Sequence, residues 1–75
     1  MSYSQRDKLQ RKLKQASGNL DTALGYLGEI VLAYEEVIEQ YPENTEYPII
    51  KESAEAVAQL VVAIMDGIEN LKAMI

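Results

Sequence analysis

The residues whose types and spacing could do chemistry are four glutamates. Glu36-x-x-Glu39 is followed, twelve residues later, by Glu52-x-x-Glu55. Paired carboxylates on two neighbouring helices can supply the hard oxygen ligands that Mg²⁺ takes. No other catalytic constellation is present. The chain has no His and no Cys, which excludes imidazole bases, thiol nucleophiles, disulfides and zinc sites of the Cys/His kind. Ser2, Ser4, Ser17 and Ser53 therefore have no histidine to activate them, and Lys51 or Lys72 would need burial to serve as a base. Five Tyr supply all the aromatic surface, since Trp and Phe are absent.

Whether the four carboxylates can converge depends on the elements that carry them. Pro42 and Pro48 bracket the polar stretch Glu43-Asn44-Thr45-Glu46-Tyr47. Proline ends a helix and is tolerated in the first turn of the next. Helices are expected over 19–41 and 47–74 with a 42–46 loop, Thr45 capping the second and Glu46 favourably placed at its positive end. Apolar residues recur in alternating steps of four and three at Leu9, Leu13, Ala16, Leu20, Ala23, Leu27, Ile30, Tyr34, Val37 and Tyr41. Downstream, Ile50, Ala54, Val57, Val61, Ile64, Ile68, Leu71 and Ile75 keep the same rhythm. A sustained 3.5-residue repeat predicts helices packed at a shallow angle. The expected fold is all-α: an antiparallel helical hairpin forming a small bundle within a single 1–75 domain. In that register Glu36, Glu39, Glu52 and Glu55 all point outward, away from a shared ion.

Leu24, Val31 and Ile38 add a column beside the first stripe, and Leu60 and Met65 widen the second. So broad an apolar face suits a helix with more than one neighbour. Either residues 4–16 fold back as a separate basic helix, or they extend the first long helix and a second copy completes the core, as chains this short often require. Ser17-Gly18-Asn19 could be a turn or lie inside a continuous helix. The expected oligomer seam is Leu20, Leu24, Leu27, Val31, Tyr34, Ile38, Val57, Val61, Ile64 and Ile68, giving a homodimer or higher assembly.

Two family resemblances attach to these residues. The Glu36/Glu39 and Glu52/Glu55 spacing is similar to that of the all-α nucleotide pyrophosphohydrolases of the MazG kind, with Glu55 where they carry Asp. That resemblance would imply magnesium-dependent hydrolysis of a nucleoside triphosphate. Ser17-Gly18-Asn19, Gly25, Tyr34 and Val37-Ile38-Glu39-Gln40-Tyr41-Pro42-Glu43-Asn44 resemble a single tetratricopeptide unit, covering about a third of the 75 residues. Ile30 and Val37 stand where such units need small residues, and no second copy follows, although these solenoids need about three to bury a core.

Charge is uneven. Residues 1–16 hold Arg6, Lys8, Arg11, Lys12 and Lys14 against Asp7, a local +4, and the remainder is −9, for the net −5. The acidic body should be repelled by nucleic acid and anionic membrane, while the basic patch could touch phosphate, an acidic partner or the acidic face of another copy. No secretory leader is expected. The longest uncharged stretch near the C-terminus, Ala56 to Met65, has ten residues against about 20 for a bilayer span, so a cytoplasmic protein with no membrane contact is the expectation. Gly25 and Gly28 sit inside the strongest helical segment, each at a cost of up to about 1 kcal/mol relative to Ala. With Tyr26 and Leu32 they make a candidate partner-binding patch.

The composite reading is a small non-enzymatic protein–protein interaction module, a regulator, adaptor or inhibitor, with no cofactor, metal or catalytic residue. Small size and acidity would suit a protein encoded by a phage or another mobile element. The alternative is a nucleic-acid-binding regulator using the basic N-terminal helix.

Overall fold

In the computed structural model, which describes residues 2–75, the chain is two α-helices: α1, Tyr3–Gln40, and α2, Glu46–Met74. They lie antiparallel as a rod of 60 × 15 × 12 Å. At about 1.5 Å per residue, the 38 residues of α1 set that length. Near the loop the Tyr34 and Tyr47 rings meet at 5.8 Å, and Tyr41 stands edge-on to Tyr47 at 6.3 Å. At the far end Lys72 shares a shallow hollow with Asp7, Gln10, Arg11 and Lys14. Among the described residues no helix is long and apolar enough to cross a membrane.

Each terminus has a local cause. The Ser2 hydroxyl accepts from the Gln5 N–H at 3.3 Å while the Gln5 side chain accepts from the Ser2 N–H at 3.1 Å. This reciprocal box satisfies two donors that a helix start leaves free. α1 stops one residue before the expected Tyr41, whose N–H donates to the Val37 carbonyl at 2.9 Å ahead of Pro42. α2 is not capped by Thr45, whose side chain makes no capping bond. The Asn44 side-chain oxygen does this work, accepting from the N–H groups of Glu46 and Tyr47 at 2.9 and 3.0 Å.

α1 runs without a break through Ser17-Gly18-Asn19, so residues 4–16 are not a separate helix. Gly18 has no positive φ, and the Thr22 hydroxyl donates to its carbonyl at 3.1 Å, one turn back. A helical φ leaves glycine's freedom unused. Because a Cβ at Gly18 would meet nothing within 4 Å, Gly18→Ala should stabilise the protein by up to about 1 kcal/mol. Thermal melting checks this: a rise of several degrees supports the continuous helix, and a fall would mean a bend at this position.

The contact between the helices repeats every three to four residues. On α2 the side chains turned toward α1 are Tyr47, Lys51, Ala54, Ala58, Val61, Met65 and Ile68, and on α1 they centre on Leu13, Leu20, Leu27 and Tyr34 with Leu24, Val31 and Ile38 beside them. Among the described residues only Ala54 is buried, at 9% exposure. Here the expected register needs correcting. Val57 and Ile64, expected in the seam, are 46% and 52% exposed, and Ile30 on α1 is 42% exposed. α2 is rotated so that Lys51, Ala58 and Met65 face α1 instead. The apolar arc of α2 is wider than one neighbour can cover, and the small Ala54, the most buried side chain among the described residues, lies on the line that faces α1.

Candidate functional site

The hairpin has two broad faces of opposite character. One is marked by Lys51, whose ammonium sits 3.6 Å from Glu35 on α1 and 3.5 Å from Glu55 on its own helix. The other carries what lies on the opposite flank of each helix. On α2 that is Ile50, Val57, Ile64 and Leu71, each seven residues from the last and 37–52% exposed. On α1 it is Leu9, Ala16, Ala23, Ile30 and Val37 at the same spacing, with Leu9 and Ile30 exposed. Helical geometry stacks positions seven apart into one column. In an antiparallel pair these two columns fall on the same side of the rod. Leu60, at 64% exposure, extends the α2 side of this face.

On the polar face, Glu55 first and Glu35 second hold the Lys51 ammonium above the ordinary lysine range, against a smaller opposing effect of burial. A raised folded pKa means the contribution to stability is full below the unfolded lysine value of about 10.4. It is lost as pH climbs through the higher folded value. Melting followed between about pH 9 and pH 11 should therefore show an alkaline fall that is smaller in Lys51→Met than in the parent. Equal falls in both proteins would remove the pair from the account.

The four glutamates singled out by spacing do not meet. Glu36, Glu39 and Glu52 are exposed, and Glu55 is engaged by Lys51. Among the described residues no group of three or more acidic side chains is arranged to hold a metal ion. Glu36 and Glu39 instead border a shallow acidic hollow with Leu32, Ala33 and Glu35.

The four residues of the expected partner patch are split. Leu32 belongs to that acidic hollow. Tyr26, 63% exposed, lies beside Ala23 and Ile30 on the apolar side. Gly25 and Gly28 are exposed, with open space where a Cβ would be. Of the expected oligomer seam, Leu20, Leu24, Leu27, Val31, Tyr34, Ile38, Val61 and Ile68 are half-buried between the two helices, whereas Val57 and Ile64 are left uncovered. In the basic segment, Arg11 and Lys14 border the hollow with Lys72, Lys8 and Lys12 flank Leu9 with Gln5, and Arg6 is exposed. Ile50 and Leu71 were in the periodic stripe of the sequence. Their shared seven-residue spacing with Val57 and Ile64 was the signal that they form a column of their own.

No family model matches the chain, and no curated protein or solved structure is significantly similar to it.

Proposed function

We propose that the chain is a non-enzymatic protein–protein interaction module, a small regulator, adaptor or inhibitor that acts by burying its helical apolar surface against itself and another protein. One observation carries this reading: the rod is too open for its mass. It exposes 5848 Å², whereas a folded chain of 8.4 kDa exposes about 4,600 Å². The excess of about 1,200 Å² is more than the roughly 800 Å² that each partner contributes to an interface of standard size. Large exposed apolar patches on folded proteins mark contact sites, and Val57 and Ile64 lie at the middle of this one. The separate acidic hollow bordered by Glu35, Glu36 and Glu39 would favour a basic surface on a further partner protein.

The experiment is thermal melting followed by circular dichroism over a hundredfold range of protein concentration. Association adds stability by mass action, so the midpoint should rise with concentration. A midpoint independent of concentration would count against the reading. A second reading has one observation in its favour: Arg11 and Lys14 of α1 and Lys72 of α2 gather at one end of the rod. Phosphate contacts there would give nucleic-acid affinity that falls steeply with salt, and no binding at low salt would dispose of it.

A further inference from the structure

We propose that the partner on the apolar face is a second copy of this chain, stacked face to face with its long axis reversed, so that the two hairpins form a four-helix bundle. The proposal rests on the interaction reading above and adds an occupant and an orientation.

Area supports the occupant. The uncovered column is apolar along the length of α2, from Ile50 to Leu71, and is continued across the seam by Leu9 and Ile30 of α1. A rod 60 Å long with one such face is matched in length and chemistry by a copy of itself. A two-fold contact uses the same patch on both copies.

Charge supports the orientation. The end of the rod built from residues 3–20 and 64–75 holds six Lys and Arg against three acids, a net +3. The loop end, residues 31–53, holds one Lys against six acids, a net −5. The middle, residues 21–30 and 54–63, has three acids and no base, which completes the total of −5. Like-oriented rods would set +3 beside +3 and −5 beside −5 within a Debye length of about 8–10 Å. Reversed rods set each basic end beside an acidic one.

Side-chain size agrees with the reversal. With the two-fold axis near Ala23 and midway between Val57 and Ile64, Val57 meets the partner's Ile64 and Ile50 meets the partner's Leu71. On α1 the small Ala16 lies opposite the partner's Ile30, and Ala23 faces its own copy. Lys8 and Lys12, which flank the exposed Leu9, then bracket the level of Glu36 on the other chain.

The test is a spin label at Glu43→Cys, an exposed loop position in a chain with no native cysteine. Residue 43 lies 20 residues from the axis at residue 23. At about 1.5 Å per residue, reversed rods separate the two labels by roughly 50–65 Å in a pulsed dipolar measurement. A single population under about 25 Å in a dimer of confirmed mass would overturn the orientation and leave self-association standing. No dipolar coupling in a sample whose mass is that of one chain would overturn the second copy itself.

Discussion

Leu27→Asp should abolish the cooperative helical melt at ambient temperature. Leu27 is at the centre of the α1 seam and half-buried against α2. The change removes a packed aliphatic side chain and puts a carboxylate with no cation in its place. The two effects together cost about 3–4 kcal/mol. A chain of 75 residues has roughly 4–11 kcal/mol of stability in total, and a rod with so little buried among its described residues belongs at the low end of that range. Circular dichroism should show loss of most helical signal. Leu32→Asp, five residues further on at a position 64% exposed, should shift stability by no more than about 0.5 kcal/mol. Equal damage from both substitutions would mean that α1 does not present the face described.

The second large effect is at Ala54, the one buried side chain among the described residues. Ala54→Leu adds three carbons at a buried position of the inter-helix contact, and overpacking of this kind costs about 1–3 kcal/mol. For a domain of this size each kcal/mol lowers the melting temperature by roughly 4–8 °C. Ala56→Leu, two residues away and exposed, should be close to neutral. A melting temperature that does not fall for Ala54→Leu would show that the axes are further apart than the burial of Ala54 implies.

The repeat of apolar residues made two helices and the Pro-bounded loop legible, because a 3.5-residue rhythm has few physical solutions. The phase of α2 was not legible. Ile49, Ile50, Ala56, Val57, Leu60, Ala63, Ile64 and Leu71 all lie outside the contact with α1, and a wide arc does not say which part of it meets the nearest neighbour. That choice is made by the size of Ala54 and Ala58 and by the Lys51–Glu35 pair, both of which are contacts between distant positions. Gly18 shows the reverse weighting. Ser-Gly-Asn is a good local turn signal, but a turn has no reason to keep the register, and the unbroken register was the better guide. At the start of α2, Asn44 and Thr45 are both cap-forming residues, and only the backbone path decides that the Asn44 side chain reaches the free N–H groups. The outward placement of Glu36, Glu39 and Glu52 followed from the register alone.

The central claim is that one hairpin leaves its apolar face unfinished and a second protein surface finishes it. Light scattering coupled to size exclusion tests this most directly. The account predicts a species of about twice the 8.4 kDa chain mass that collapses toward one chain in Ile64→Glu. A parent protein that stays at 8.4 kDa at all concentrations, with its helical signal intact, would contradict it.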